Sequence, residues 1–243
     1  MNNYFDNSYQ NGYQTAAQAE NELTLQRYVA GVMRRVYGQM TFGLLATALT
    51  SYLVLSSEPL KALLLSNKII FLLMFVIELG LVIFLSARIN KMSTTMSKVV
   101  FYLYSILNGI TLTPIFFVYT SSSIAATFAI TAGMFGAMTI FGYVTRQDLS
   151  KMGSFLFMAL IGLIVCLVVN LFIHSTMFEM LISFAGVLIF VGLTAWDSQA
   201  IKRMCAEADT TTVGKVATMG ALTLYLDFIN LFIYLLRLFG DRN

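Results

Sequence analysis

The stretch VVFYLYSILNGITLTPIFFVYTSSSIAATFAITAGMFGAMTIFGYVT, residues 99–145, lies between Lys98 and Arg146 and contains no charged side chain. Ionised groups are costly in hydrocarbon, so a run of this kind reads as embedded in a bilayer. It is too long for one crossing, because about 20 apolar residues span the hydrocarbon core. The polar cluster at Tyr119, Thr120, Ser121, Ser122 and Ser123, just after Pro114, is the natural break. The run therefore predicts two crossings, near Val99–Val118 and Ile124–Val144. Working outward, the same cutting at charges and turn residues predicts a first span near Val36–Leu55 and a second near Ile69–Ala87. A fifth follows near Ser154–Ile173, a sixth near Met180–Ile201 and a seventh near Val216–Leu236. The apolar runs are continuous and do not alternate with period two, which favours helices over a barrel. The predicted fold is an all-α integral membrane protein with seven transmembrane helices.

Composition agrees. Of 243 residues, 58% are hydrophobic and 11% charged, whereas a soluble domain carries about a quarter charged residues. The net charge of +3 comes from lysines and arginines scattered between apolar runs, which argues against a nucleic-acid partner. Residues 1–35 are polar and lack the apolar core of a cleavable signal. They are expected to form a mobile cytoplasmic tail, with residues 36–243 as the membrane domain. Of the 15 lysines and arginines, all but Lys61, Lys68, Arg237 and Arg242 fall on the side of that tail. The positive-inside rule then places the N-terminus in the cytoplasm of an inner (plasma) membrane protein, and seven spans place the C-terminus outside. Cys166 and Cys205 are expected to be free thiols.

Within this apolar chain, Asp197 and Asp227 stand inside the sixth and seventh spans. A charged carboxylate at mid-bilayer costs about 2.5–3.5 kcal/mol even on the lenient insertion scale. Asp197 lies roughly 8 Å from the cytoplasmic end of its span and Asp227 roughly 16 Å, a difference that tilt removes in part. Two carboxyls at hydrogen-bond range do not readily ionise together, so the pair is expected to share a proton and act as a proton-operated latch. Glu78, in mid second span, is a third buried acid and a candidate ion-pathway residue. Arg88, where that span meets the cytoplasm, is a candidate latch: an ionised Asp197 attracts it and holds the second span shut, and protonation releases it. Carboxylates and carbonyls along a path favour hard cations such as calcium.

Other polar residues promise less. His174, the single histidine, falls at an external turn; Asn108, Asn170 and Asn230 read as interhelical glue, and Trp196 as lipid or interface packing. Ala125, Ala129, Gly133 and Ala137 recur every four residues in the fourth span, and this stripe is expected to let a neighbouring helix approach closely. No phosphate loop, nucleophile elbow or metal-binding histidine pair occurs, so neither an enzyme nor a cofactor is expected. An intramembrane aspartyl protease would present Gly-x-Gly-Asp, where this chain has Thr194-Ala195-Trp196-Asp197 and Tyr225-Leu226-Asp227.

Several strings are distinctive: MTFGLL at 40–45, ELGL at 78–81, NGITLTPI at 108–115, TRQDLS at 145–150 and LYLDFINLF at 224–232, the last followed by LLRLFG at 235–240. In these the chain resembles the Bax inhibitor family, also called the transmembrane Bax inhibitor motif family, from about Arg34 to Arg242. The resemblance implies seven helices with the seventh enclosed by the other six. It also implies a pH-sensitive calcium leak whose sensor is a di-aspartyl pair, here Asp197 and Asp227. The family's closing arginine maps on Arg88, one residue nearer Glu78 than the family spacing. Some bacterial members restrain membrane-anchored ATP-dependent proteases through a cytoplasmic N-terminal tail, and the tail here suits that second role. The expected partners are therefore the lipid bilayer, a transported calcium ion and such a protease.

Overall fold

The computed structural model describes residues 3–243 apart from 67 and 210, with side chains described outside 1–19, 64–68, 71 and 210. Helices α1 (Asn3–Ser56), α2 (Glu58–Ser66), α3 (Lys68–Arg88), α4 (Thr94–Leu112), α5 (Ile115–Val118), α6 (Ser121–Val144), α7 (Ser150–Ile173), α8 (Thr176–Glu207) and α9 (Val213–Phe239) follow one another through short connections. Seven segments are long and apolar enough to cross a membrane: the part of α1 from Glu20, most of α3, α4 with α5, and each of α6 to α9. No strand occurs among the described residues.

Local chemistry sets the ends of these helices. Side chains of Ser93, Thr120 and Ser175 accept hydrogen bonds from the amides of Met96, Ser123 and Phe178, capping α4, α6 and α8. His174 closes α7 in the left-handed region, at φ 53° and ψ 34°, its amide donating to the Asn170 carbonyl. The exposed histidine thus makes the tight turn into α8, at a position usually given to glycine. Pro114 separates α4 from α5 inside the third predicted span, a break the sequence reading does not place, and α4 already ends at Leu112. At the same end of the bundle the chain terminus is tied down. The Thr120 amide donates to the Asp241 carbonyl, that of Asn243 donates to the Val118 carbonyl, and Tyr119 bridges to Arg242.

Helix α9 is the most buried span: 72% of its most apolar stretch is inside the protein, against 11% for α3 and for α7. It packs on α1, α4, α6 and α8, while α3 leans on α4 and α7 on α8. Its composition explains the position, because Ala217, Gly220 and Ala221 let neighbours approach while Leu224, Leu231 and Leu236 fill the spaces between them.

Three expectations change. The packed body begins before residue 36: Val29, Val32 and Met33 are buried, and the Tyr28 hydroxyl donates to the Ala208 carbonyl at 2.8 Å. Helix α1 runs through the expected tail from Asn3 onward, residues 1 and 2 lying outside the described residues. The small-residue stripe of α6 also points the other way. Ala125, Ala129, Gly133 and Ala137 lie off the buried face, which is formed by Ser123, Thr127, Thr131, Phe135, Thr139 and Gly142. Thr131 folds its hydroxyl back on the Thr127 carbonyl at 2.7 Å, which hides the polar group and leaves a compact packing surface. Finally, the half-buried Trp196 is not left to lipid alone: its indole covers Gly153 of α7, where any Cβ would strike it. Cys166 and Cys205 are both free, and the buried Cys205 thiol contacts the Met33 sulfur at 3.9 Å.

Candidate functional site

Helices α8 and α9 are joined by a short turn that Asp209 organises. Its carboxylate accepts from the amides of Thr211 and Thr212, at 3.0 and 2.8 Å, and from both hydroxyls at 2.8 and 2.7 Å. Those donors, the Thr212 hydroxyl first, hold the exposed Asp209 carboxyl down at about 2. The turn fixes the register in which the two helices run back along each other.

Two close approaches then set α8 against its other neighbours. Gly142 of α6 lies against the Ala195 backbone, and Gly153 of α7 against the Trp196 ring, with no room for a Cβ at either. The segment Ala195–Trp196, immediately before Asp197, is therefore gripped from two sides. On α9, Gly220 sits against Ile201 in the same way.

This packing brings Asp197 and Asp227 face to face with their carboxyls within hydrogen-bonding range. Both are buried, at 9% and 4% exposure. Helix α8 runs past Ile201 to Glu207 and α9 starts at Val213, so both acids stand well inside their helices. Asp197 is about 15 Å from its helix end and Asp227 about 21 Å, and the unequal offset is absorbed in the crossing. Asp227 Oδ2 is buried without a hydrogen-bond donor, and among the described residues no ion pair reaches either acid. Two facing carboxyl oxygens attract only with a hydrogen between them, so this geometry suits a pair that holds one proton in common.

Arg88 is not brought to the pair. It ends α3, is exposed, and makes no ion pair among the described residues. Helix α3 packs chiefly on α4, and just beyond Arg88 the Asn90 carbonyl accepts from Lys215 of α9 at 3.0 Å.

Glu78 belongs to a second buried polar group, on the opposite side of α9. At 6% exposure it accepts from the Thr111 hydroxyl at 2.9 Å and is hydrogen-bonded by the Asn108 side chain. Asn108 Oδ1 in turn accepts from the Tyr225 hydroxyl at 3.0 Å, and that hydroxyl lies 2.6 Å from Thr47 Oγ1. Thr47 reaches the carbonyls of Ser105 and Gly43 at 2.8 and 3.0 Å. A chain of hydrogen bonds thus runs from α3 through α4 and α9 to α1. Residues 225 and 227 stand about 200° apart around α9, so this one helix carries both groups. The sequence singles out Glu78 and Asn108 but gives little warning of Tyr225, Thr47 and Thr111. Their signal is the spacing of Asn108 and Thr111 on one helical face, shared with the apolar majority. Of the other candidates, Asn230 donates to the Leu226 carbonyl at 2.8 Å, a local bond, and Asn170 Oδ1 is buried without a partner.

The match to known proteins covers this whole assembly. A family model described as "Inhibitor of apoptosis-promoting Bax1" matches residues 29–243, starting at the first buried residue of α1 among those described. The chain belongs to the Bax inhibitor-1 family. Among its relatives in that family, "Inner membrane protein YbhL" of Escherichia coli is 48% identical over 222 residues, covering 90% of this chain and 93% of that protein. An uncharacterized protein of Borreliella burgdorferi is 45% identical over 213 residues, covering 87% and 92%. One from Rickettsia prowazekii is 41% identical over 220 residues, covering 90% and 91%. The protein is a multi-span membrane member of the Bax inhibitor-1 family, and Asp197, Asp227 and Glu78 all lie within the matched region.

Proposed function

We infer that this protein is a pH-sensitive calcium leak of the inner membrane, gated by the Asp197–Asp227 pair, with the N-terminus cytoplasmic and the C-terminus outside. The observation that carries the reading is the pair itself: two buried carboxyls facing each other on neighbouring helices, with no cation among the described residues paired to them. The inner-membrane location follows the name of the Escherichia coli relative.

The number of protons on the pair decides what holds α8 to α9. With a shared proton the two acids are joined by a strong charge-assisted hydrogen bond. With none, two like charges about 4 Å apart repel by about 4 kcal/mol at an effective dielectric of 20, and either a cation must enter or the helices must part. Arg88 is the chain's own cation for this role. Ionised acids draw it in and fix α3, and proton uptake frees it. The exposed Arg88 of this structure is the disposition expected of the proton-loaded form. Glu78 supplies the hard oxygen ligand further along the path, held between Thr111 and Asn108.

Calcium efflux from liposomes carrying the purified protein, followed from pH 5 to pH 8 beside Asp197→Asn and Asp227→Asn, tests this. Wild type is expected to show a pH-dependent flux that either substitution flattens. Flux no greater than from empty liposomes, or an unchanged profile in both variants, refutes it.

A second role, restraint of a membrane-anchored protease, draws on the outer end of α1, where Glu20 to Arg27 are exposed. Removing residues 2–27 takes that segment away and leaves the buried part of α1, from Val29 onward, intact. The leak survives that deletion, whereas a protease-directed role does not.

A further inference from the structure

A cavity of about 650 Å³ opens at the bundle end where the lysines and arginines collect, between α1, the residue 145–149 loop and the last turns of α8. Its size lies within the roughly 300–1,000 Å³ typical of small-ligand sites. Three cations, Arg146, Lys202 and Arg203, and a single carboxylate, Asp148, line it. Arg203 is committed to Asp148 at 3.2 Å, to the Ser150 hydroxyl at 2.8 Å and to Gln199 Oε1 at 3.2 Å. Lys202 uses one of its three hydrogens on the Tyr143 carbonyl at 2.7 Å and lies over the Tyr143 ring at 4.6 Å. Arg146 makes no ion pair among the described residues. Two positive charges therefore face the cavity without a counter-charge.

The site is built rather than incidental. Gln199 accepts from the Leu149 amide at 2.9 Å and donates to the Gln147 carbonyl at 2.8 Å, so the loop carrying Arg146 is stitched to α8. Lys202 is held in place by Tyr143 before any ligand arrives, which lowers the ordering cost of binding. Leu25, Val29, Val144 and Ala206 give the remaining wall an apolar side, with Gln26 and Thr145 beside them. From Val144 an exposed apolar strip continues along α6 through Phe141 and Ile140. A phosphate beside Arg146 and Lys202 thus has a hydrocarbon path leading away from it in the direction of the bilayer.

We propose that this cavity binds the headgroup of an anionic phospholipid, its phosphate on Arg146 and Lys202 and one acyl chain along Val144 and Ile140. The site is separate from the acid pair and does not depend on the leak reading. A soluble phosphate shares the headgroup chemistry but makes no use of the apolar strip, and the two sources separate by experiment.

The full-length protein in detergent is titrated with phosphatidylglycerol or phosphatidylcholine and bound lipid is counted by native mass spectrometry. Wild type should retain phosphatidylglycerol in preference to phosphatidylcholine. Arg146→Ala and Lys202→Ala should each weaken phosphatidylglycerol about fivefold, the factor for about 1 kcal/mol per cation at a membrane surface, and leave phosphatidylcholine unchanged. Asp148→Asn removes the opposing charge and should tighten phosphatidylglycerol binding several-fold, a gain that a misfolded variant cannot mimic. No preference in wild type, or one that none of the three substitutions moves, overturns the proposal. Displacement of the lipid by inorganic phosphate also overturns it, in favour of a soluble ligand.

Discussion

Tyr225→Phe isolates the second polar group with a single atom. The Tyr225 hydroxyl donates to Asn108 Oδ1 at 3.0 Å and meets Thr47 Oγ1 at 2.6 Å, in a site where Tyr225 itself is fully buried. Phenylalanine keeps the ring, and with it the edge-to-face contacts to Phe101 and Tyr104, so packing is preserved. Thr47 still has the Ser105 and Gly43 carbonyls to bond. Asn108 Oδ1 loses its donor and remains buried. An orphaned buried acceptor costs about 1–3 kcal/mol in proteins generally, and hydrogen bonds between membrane helices average about 0.6 kcal/mol with a maximum near 1.7. The expected loss is therefore about 1–2 kcal/mol. At roughly 2–4 °C per kcal/mol for a chain of this size, Tm should fall by about 2–8 °C. Thermal unfolding of the purified protein in detergent, followed by circular dichroism, measures it. Asn108 also holds Glu78, so the substitution should change the size of a calcium flux without flattening its pH profile. A double-mutant cycle with Asn108→Leu completes the test, because the pair should couple. A Tyr225→Phe protein as stable as wild type, or additive effects in the cycle, would show that the hydrogen-bond chain contributes nothing.

Three further outcomes follow from the packing and the turns. Gly153→Leu forces a side chain into the Trp196 indole and should destabilise by about 1–3 kcal/mol, as overpacking does, with loss of the Trp196 fluorescence environment as a second readout. Ala129→Leu, on the outward stripe of α6, should leave Tm within about 2 °C, since surface changes stay within about 0.5 kcal/mol; a large drop would mean that this face is packed after all. The Asp209 carboxyl, held down at about 2 from an ordinary 3.8, stabilises the α8–α9 turn wherever it is ionised in both folded and unfolded chains. The stability advantage of wild type over Asp209→Ala should then be complete above about pH 4 and shrink as pH falls towards about 2. A Tm difference that does not change over that interval would remove Asp209 from the turn.

Seven spans are legible because hydrocarbon admits few charges, and that rule acts on each stretch of chain separately. Pro114, the Tyr119–Ser123 break and the absence of charge from 99 to 145 need no partner to be read. The acids are legible for the same reason: Asp197, Asp227 and Glu78 are conspicuous in apolar sequence at whatever place they fold to. What fails is the inference about which face of a helix meets which neighbour. The Ala125–Ala137 stripe looks like a packing surface and faces outward, while the buried face is built on Thr127, Thr131 and Thr139, of which Thr131 hides its hydroxyl on its own backbone. Residues 29–35 look like tail and contribute to the core, because three apolar residues at helical spacing carry too little weight against a polar surrounding.

The amino-acid sequence by itself determined the class, the spans and the buried acids, since the cost of placing a charge or an open backbone in lipid is local and additive. Only the tertiary structure decided the pairings. It put Asp197 opposite Asp227, left Arg88 without an ion pair to either, and joined Glu78 to Tyr225 across α4. Those outcomes depend on close approaches such as Gly142 on Ala195 and on the register set by the Asp209 turn. The physical reason is that helix-to-helix contact in a bilayer is chosen by fit between two surfaces, and neither surface is written in one segment alone.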